Sequence, residues 1–320
     1  MTSLTTTKDA LDRFHHEALL YEGTDGFLDA IVPFIREGIQ ADEAVFVVVD
    51  AAKIDLLRER LDGDARRARF ADMAHVGVNP ARIIPAWREF VAEHQDAGRP
   101  FRGVGEPIWP GRSPAELVES HLHEALLNVA FDQGPPWWLM CPYDTVALDP
   151  AVVDEARRTH PTIVTEGRRE PGAFPGSRAV TVLDVDLPEP AGPVQELEIG
   201  PGSLFGLRRF VSQRAHDAGL GFDRAAELVL AVNEVATNSL RYGGGAGSLR
   251  VWEEPGALLV EISDEGRLRE PMAGRQPPRK DESGGRGLWI ANQVCDLVQI
   301  RSSEGRTVVR LHLHLGDRAA

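Results

Sequence analysis

The clearest hydrophobic pattern in the chain lies in residues 228–244. Apolar side chains recur there every three to four positions, at Leu228, Val232, Val235, Ala236 and Leu240. This spacing predicts a helix that is buried along one face. Glu234 and Asn238 interrupt the pattern four residues apart, so the helix places them on the same side. The run of glycines that starts at Gly243 predicts the end of the helix.

Glu234 and Asn238 bring a carboxylate and a carboxamide oxygen together. Such oxygen atoms suit Mg²⁺, which keeps several waters and usually binds through one or two protein groups plus substrate phosphates. For this helix alone, an ordinary amphipathic helix with solvated polar residues is an equally good interpretation. The motifs that follow it in the chain favour a nucleotide site.

Three further motifs follow the helix. An apolar run over 257–262 predicts a strand, and Asp264 and Gly266 come directly after it. A carboxylate at a strand end can accept hydrogen bonds from the amine of a base, while a glycine lets the chain turn close to the ring. A glycine-rich loop over 283–287 opens a helix predicted for 286–294, and such a loop offers N–H groups to phosphates. Thr307 then begins the terminal strand.

This order of motifs resembles the Bergerat-type ATP-binding fold of gyrase, the heat-shock chaperone and histidine kinases, and in particular the anti-sigma-factor serine kinases. The resemblance covers roughly residues 197–315. It implies that Asn238 binds Mg²⁺ and that Glu234 acts as a base or positions the nucleophile. It also implies that Asp264 contacts the adenine amino group, with Thr307 supporting that contact.

The same resemblance makes ATP and Mg²⁺ the expected cofactors and assigns further residues to them. The cofactor-binding candidates are Asn238, Arg241, Asp264, Gly266, Gly284, Gly285, Arg286, Gly287 and Thr307. A polar segment over 267–283 is predicted to be a mobile lid. The sequence departs from the family at one position, because the second motif commonly has the form DxGxG and Leu268 stands in place of its second glycine.

Buried strands alternate with amphipathic helices in the first half of the chain. The apolar runs over 43–50 and 137–143 predict strands that are buried on both faces, as in a parallel sheet. Helical spacing is found over 26–38, 52–61, 81–97 and 114–131, and 101–109 is predicted as a strand and loop. These elements predict an α/β sandwich. The strand ending at Val49 is followed by no glycine-rich loop, which disfavours a P-loop nucleotide site.

Scattered residues of this half form a pattern that resembles the MEDS sensory domains. The pattern includes His16, Tyr21, Gly38, Arg102, Glu106, Trp109, Glu124, Asn128, Cys141, Tyr143 and His160. The resemblance covers roughly residues 14–165. It implies a RecA-like sheet without a P-loop, and a small organic molecule as ligand. The candidates for the sensory pocket are His16, Glu106, Trp109, Glu124, Asn128 and Tyr143.

The polar residues of this half also have simpler interpretations. Glu124 and Asn128 lie four apart on a helix and could line a pocket, but a solvated helix face is favoured. Cys141, in an apolar strand, is predicted to be a buried small residue. The histidines lie in different elements, and the two cysteines, Cys141 and Cys295, lack metal-ligand spacing. We therefore expect reduced thiols and no zinc site.

The length of 320 residues predicts two domains. The predicted boundaries are a sensory domain over 1–167, a Gly/Pro-rich linker over 168–194 with an edge strand at 180–187, and an ATP-binding domain over 195–320. Thirty-five Lys and Arg against 49 Asp and Glu give a net charge of −14, which disfavours direct nucleic-acid binding. No apolar run has the length of a signal peptide or membrane span, so the expected location is cytoplasmic.

The favoured hypothesis is an ATP-dependent protein serine kinase that phosphorylates an anti-sigma antagonist and is controlled by the sensory half. No long helix with a histidine followed by an acidic residue precedes the ATP-binding domain, which disfavours a histidine kinase. One alternative is a non-catalytic module that binds ATP as a structural ligand and sequesters a sigma factor. Another is a small-molecule sensor that has lost nucleotide affinity, which Leu268 favours. The oligomeric state stays open, with a homodimer among the alternatives.

Overall fold

The chain forms two compact units, Met1–Val180 and Thr181–Ala320. A computed structural model describes residues 13–176, 185–278 and 285–316. In the first unit, the strands are β1 (Phe14–Tyr21), β2 (Ala44–Val49), β3 (Ala68–Asp72), β4 (Phe101–Gly105), β5 (Trp137–Asp144), β6 (Thr162–Thr165) and β7 (Arg168–Pro171). Its helices are α1 (Gly23–Gln40), α2 (Ala51–Leu61), α3 (Met73–Val76), α4 (Ile83–Asp96), α5 (Pro114–Ala130) and α6 (Pro150–Thr159).

The seven strands form one sheet in the order β3-β2-β4-β5-β1-β6-β7. All neighbouring strands are parallel except β7, which runs antiparallel to β6. The strands are joined mainly through helices, which is the arrangement that buries a parallel sheet on both faces. Every residue of β2 is buried, as its continuous apolar sequence predicts.

The two faces of this sheet have different cores. One face packs aliphatic and aromatic residues of α1, such as Ile31 and Ile35, against the strands. The other face is aromatic, with Trp137 of β5 in ring contact with Trp87 and Phe131. The neighbouring Trp138 is also buried and packs its edge on Phe34 of α1. The alternation of strand side chains thus supplies one tryptophan to each core.

The second unit is an antiparallel sheet covered by helices on one face. Its strands are β8 (Gln195–Ile199), β9 (Gly247–Glu254), β10 (Ala257–Asp264), β11 (Leu297–Ser303) and β12 (Arg306–His314). Its helices are α7 (Leu204–Asp217), α8 (Phe222–Tyr242) and α9 (Arg286–Val294). The strand order is β11-β12-β10-β9-β8. Alternate strand residues, such as Val260 and Leu311, join the apolar faces of the three helices in one core.

The expected fold class, α/β followed by α+β, is confirmed, and several local expectations need correction. The strand β1 was not expected, since His15, His16 and Glu17 interrupt its apolar pattern. The sequence also favours Ser203 as the cap of a helix that starts near it, but its hydroxyl makes no capping bond to α7 and accepts a hydrogen bond from the Gly200 N–H instead. Most of the expected strand at 180–187 lies outside the described residues, and residues 185–187 carry no strand. The predicted domain boundaries stay predictions.

None of the helices in the described part of the chain is both long and apolar enough to cross a membrane.

Candidate functional site

Helix α8 of the second unit lies on the sheet through a continuous apolar face. Its buried residues follow the helical period and include Leu228, Val232, Val235 and Ala236. Glu234 and Asn238 fall beside this face and are half-buried. The period that buries the helix therefore also brings a carboxylate and a carboxamide to the edge of the core.

Asp264 ends β10 and lies opposite Thr307 of β12 in the antiparallel register. One of its carboxylate oxygens accepts a hydrogen bond from the Ser239 hydroxyl at 2.6 Å. The other accepts from the Gly266 N–H at 2.8 Å. These two bonds tie the strand end to α8 and to the following turn. A carboxylate offers about four acceptor positions, so Asp264 retains capacity for a ligand amine.

A chain of hydroxyl groups holds the turn after Asp264. The Thr307 hydroxyl donates to the Gly266 carbonyl at 3.0 Å and lies 2.9 Å from the Ser302 hydroxyl. Ser302 in turn accepts from the Leu268 N–H at 2.8 Å. Leu268 is not among the described non-glycine residues with positive φ, so its backbone does not require glycine. The departure from DxGxG is thus accommodated without backbone strain.

A cavity of about 450 Å³ lies beside Asp264. Its apolar lining includes Val235, Leu268, Ala273, Leu288 and Val309. Its polar lining includes Asn238, Asp264 and Thr307. Apolar walls with a few convergent polar groups are typical of a small-molecule site, and a planar base with an exocyclic amine fits this chemistry.

The glycine-rich loop reaches this site through the start of α9. Gly285 precedes the helix with φ of 82°, a left-handed conformation that favours glycine. At Gly287, an added Cβ atom would lie 2.9 Å from Asn238 Nδ2 and 3.3 Å from Glu234 Oε2. The first turn of α9 therefore approaches the Glu234–Asn238 pair closely because position 287 has no side chain.

The structure brings some of the predicted cofactor residues together and leaves others apart. Asn238, Asp264, Gly266, Gly285 and Thr307 line the cavity. Gly287 lies next to Glu234 and Asn238, since a Cβ atom added there would come within 3.3 Å of both side chains. In contrast, Arg241 and Arg286 are exposed and are not among the described residues that line it. Gly284 lies outside the described residues. The ligand roles of all these residues stay predictions.

The described part of the expected lid, residues 267–278, packs on the second unit. Met272 is buried, and the Gly274 carbonyl accepts a hydrogen bond from Asn292 of α9 at 3.0 Å. The remainder, residues 279–283, lies outside the described residues. Sequence reasoning also missed the part played by Ser239. The sequence pattern that could have revealed Ser239 is a hydroxyl residue at a position that the helical period assigns to the buried face.

The first unit contains a buried cluster of polar side chains between the sheet and its helices. His16 of β1, Glu124 of α5, Cys141 of β5 and His160, just after α6, are each at most 2% exposed. His16 Nε2 lies 3.0 Å from Glu124 Oε2 and 3.3 Å from Cys141 Sγ. His160 Nε2 lies 3.3 Å from the same Glu124 oxygen. The Tyr143 hydroxyl donates to the other Glu124 oxygen at 3.3 Å.

Burial strongly affects the pKa values in this cluster. It lowers the pKa of His16 to about 4, with His160 adding to the effect. It raises the pKa of the Cys141 thiol well above the usual value, and Glu124 adds to that shift. Burial alone would raise the pKa of Glu124, but attraction to His160 and the hydrogen bonds of both histidines hold it well below its usual value. The cluster thus presents a carboxylate next to a neutral His16 and a protonated thiol.

A second buried set lies at the carboxyl ends of the parallel strands. Glu106, just after β4, accepts hydrogen bonds from Tyr21 at 2.8 Å and from Lys53 at 2.7 Å to both oxygens. Burial raises the pKa of Glu106 to about 7 even though Lys53 opposes the shift. Sequence reasoning singled out Glu106 but missed Lys53. This residue lies in the first turn of α2 and donates its backbone N–H to the side chain of Asp50, which caps the helix.

The six sensory-pocket candidates therefore do not share one pocket. His16, Glu124, Asn128 and Tyr143 belong to the buried cluster, while Glu106 belongs to the strand-end set. Trp109 is half-buried and stacks on the Arg112 guanidinium at 3.7 Å. The expected solvated face at Glu124 is wrong, because that side chain is fully buried. Cys141 is buried as expected, but among polar groups.

Comparisons with known proteins assign both halves of the chain. Residues 15–161 match the family model of MEDS, the methanogen/methylotroph DcmR sensory domain. Residues 200–313 match the model of the histidine kinase-like ATPase domain. A search of curated proteins finds no match.

Solved structures match parts of the chain at low sequence identity. The RsbU and RsbW domains of a Mycobacterium tuberculosis protein match with 14% identity and a TM-score of 0.30, over 38% of this chain and 32% of that one. This chain thus spans about a third of that structure. The histidine kinase AdeS of Acinetobacter baumannii matches with 10% identity and a TM-score of 0.24, over 39% of this chain and 70% of that one. The histidine kinase domain of the Escherichia coli osmosensor EnvZ matches with 19% identity and a TM-score of 0.24, over 41% and 94%.

Each family match falls within one of the two units. The MEDS match lies in the unit with the parallel sheet, and the ATPase match lies in the unit with the antiparallel sheet. The chain carries a MEDS sensory domain at its N-terminus and a histidine kinase-like ATPase domain at its C-terminus.

Proposed function

We propose that the protein is an ATP-dependent serine kinase that phosphorylates an anti-sigma antagonist protein and thereby regulates transcription. Its MEDS domain would control this activity in response to a small organic molecule. The observation that carries the proposal is the placement of Glu234 and Asn238 against the start of α9, at the edge of a cavity that holds Asp264.

The residues of this cavity fit the expected cofactor. Asp264 retains acceptor capacity for an adenine amine, and its position is fixed by Ser239 and Gly266. Asn238 lines the same cavity and supplies the oxygen that Mg²⁺ prefers. Gly285 and Gly287 let the start of α9 lie close, where N–H groups and the positive end of the helix favour phosphate. When bound, Mg²⁺ and ATP would supply the transferable phosphoryl group and neutralise its charge.

The role of Glu234 would distinguish a kinase, which transfers a phosphoryl group, from a protein that only binds ATP. Glu234 is half-buried, four residues before Asn238, and the first turn of α9 approaches its carboxylate closely at Gly287. We propose that it orients or deprotonates the hydroxyl of the substrate serine. Phosphoryl transfer depends mainly on positioning and charge stabilisation, so one such residue next to the phosphate-binding groups is sufficient.

Substitution of Glu234 and Asn238 tests this assignment. Glu234→Gln keeps the shape and removes the charge, so we expect nearly unchanged ATP affinity with turnover lowered by ~10²–10⁴ if Glu234 is the general base. Asn238→Ala removes a metal ligand, so ATP binding should weaken and lose its dependence on Mg²⁺. Labelled ATP, a candidate antagonist protein and phosphoamino-acid analysis give the rates, and calorimetry gives the affinities.

An exposed carboxylate of the edge strand, Glu196, provides the control, since Glu196→Gln should change neither quantity. Partner phosphorylation at the wild-type rate by Glu234→Gln would show that another residue activates the serine.

A second candidate function is a non-catalytic ATP-binding module that sequesters a sigma factor or another partner. It is favoured by the exposed positions of Arg241 and Arg286, which leave the cavity without these two expected cations. ATP-dependent partner binding by the wild type, with no phosphorylation of any partner, would establish this function instead.

A further inference from the structure

Four side chains with metal-binding atoms meet in the buried cluster of the MEDS domain. One ligand atom each from His16, Glu124, Cys141 and His160 lies within 4.8 Å of all the others. The residues come from distant parts of the chain; Cys141 and His16 are separated by 125 positions. The fold therefore brings two imidazoles, one thiol and one carboxylate within a few ångströms of one another.

Hydrogen bonds on the outer side fix the orientation of both imidazoles. Asn128 donates its amide N–H groups to the carbonyls of Thr159, at 2.9 Å, and Glu124, at 3.2 Å. Its Oδ1 is therefore an acceptor, and His16 Nδ1 donates to it at 3.1 Å. His160 Nδ1 lies 2.9 Å from the Ala156 carbonyl, which only accepts. Both histidines thus hold a proton on Nδ1 and direct Nε2 at Glu124.

This arrangement leaves fewer hydrogen-bond donors than acceptors inside the cluster. With neutral imidazoles, two Nε2 lone pairs and the Glu124 carboxylate face one another, and the Cys141 thiol is the one donor among the four groups. Buried acceptors without a donor cost free energy. Either an additional proton or a metal cation has to lie between these atoms.

We propose that His16, Glu124, Cys141 and His160 form a tetrahedral binding site for a zinc-class divalent transition metal. Zn–N, Zn–O and Zn–S bonds of about 2.0–2.3 Å in a tetrahedron separate the ligand atoms by about 3.3–3.8 Å. The contacts of His16, His160 and Cys141 with Glu124 Oε2 lie at 3.0, 3.3 and 3.5 Å. Small side-chain shifts therefore suffice to admit the ion.

The charge of the site also favours a divalent metal. One thiolate and one carboxylate balance two positive charges, while the two imidazoles stay neutral, so the occupied site is neutral overall. Binding would release the Cys141 thiol proton to solvent, because the thiolate is the ligand form. A neutral complex avoids the large desolvation penalty of a buried net charge.

The ligand types select the class of metal and the role of the site. Sulfur and imidazole ligands favour zinc-class metals over Mg²⁺ and Ca²⁺, which take oxygen. Four protein ligands complete the tetrahedron, which is typical of a structural site. A cavity of about 290 Å³ is lined by His16 and Asn128 and so lies next to the cluster. The proposal replaces the sequence-based expectation that the chain has no zinc site.

Metal titration of the full untagged chain tests the proposal. After removal of metal with a chelator, we expect one equivalent of Co²⁺ to produce a thiolate-to-cobalt charge-transfer band, and Zn²⁺ to abolish it by competition. Cys141→Ser should remove the band and weaken Zn²⁺ binding more than about 100-fold. Cys295→Ser, at the buried cysteine of the ATPase domain, is the matched control and should keep both.

Two measurements keep the test decisive if Cys141→Ser does not fold. The wild type should show a zinc X-ray absorption spectrum with one sulfur among nitrogen and oxygen ligands. Asn128→Leu should retain the cobalt band and lower the affinity about 10–100-fold, since it removes the hydrogen bond that orients His16, together with those to the Thr159 and Glu124 carbonyls, but no metal ligand. Absence of the band in the wild type, or a zinc shell without sulfur, overturns the proposal and leaves a shared proton as the cation of the cluster.

Discussion

At the scale of single residues, the second unit depends on a carboxylate whose two oxygens have separate partners. Asp264 accepts from Ser239 of α8 with one oxygen and from the Gly266 N–H with the other. Both bonds require an acceptor at each position. An asparagine at this site could keep one bond, but its amide nitrogen would face a donor at the other position.

We therefore expect Asp264→Asn to lower ATP affinity by about one to two orders of magnitude, because a base amine or a backbone donor is left without its acceptor at a cost of about 1–3 kcal/mol. Calorimetry with ATP and Mg²⁺ measures the change. The adjacent Glu265 is exposed, so Glu265→Gln serves as the matched control with unchanged affinity. Equal affinities for both variants would show that Asp264 does not contact the base.

At the scale of elements, a buried carboxylate joins three strands on the sheet face opposite the helices. Glu261 of β10 lies opposite Arg250 of β9 and Arg310 of β12 in register. Arg250 Nε donates to one of its oxygens at 3.0 Å, and Arg310 Nε donates to the other at 2.9 Å. Glu261 is 2% exposed, so water cannot replace these bonds.

Removal of this shared partner leaves two guanidinium groups without their buried counter-charge. We expect Glu261→Ala to lower the free energy of unfolding of the ATPase domain by about 3–5 kcal/mol. Glu253→Ala, at an exposed position of β9, should change it by no more than about 0.5 kcal/mol. Denaturant unfolding followed by circular dichroism gives both values, and a Glu261→Ala protein as stable as Glu253→Ala would contradict the expectation.

At the scale of the whole molecule, each unit has its own sheet and its own apolar core. The second unit also uses residues that precede β8, since Arg310 donates to the Pro188 carbonyl and Arg250 to Glu189. A fragment that starts at the predicted boundary of 195 would lose these contacts. A fragment of residues 185–320 keeps them.

We expect the 185–320 fragment to unfold cooperatively and to bind Mg-ATP on its own. At a hundred times the dissociation constant, the nucleotide should stabilise it by about 2.7 kcal/mol. Thermal unfolding with and without Mg-ATP measures this, and the 195–320 fragment should be less stable in the same assay. Absence of any shift with Mg-ATP in the 185–320 fragment would contradict ATP binding by this domain alone.

Sequence patterns anticipated much of the fold because these patterns depend on neighbours along the chain. The helical period and the glycine run predicted the body and the end of α8, and continuous apolar runs predicted β2 and β5. The strand β1 was missed because His16 and Glu17 are polar. Their partners, Glu124 and Arg169, come from elements far along the chain, so no local pattern can show that these side chains are buried.

The sequence by itself determined the two domain families and the order of the nucleotide motifs, since motif spacing and periodicity are local properties. Tertiary structure alone decided which distant side chains meet. It separated Glu106 and Trp109 from the other sensory candidates, and it placed Arg241 outside the cavity. It also joined Cys141 to two histidines that the sequence assigns to different elements. Burial then changes their chemistry, because groups that water would solvate separately must satisfy one another.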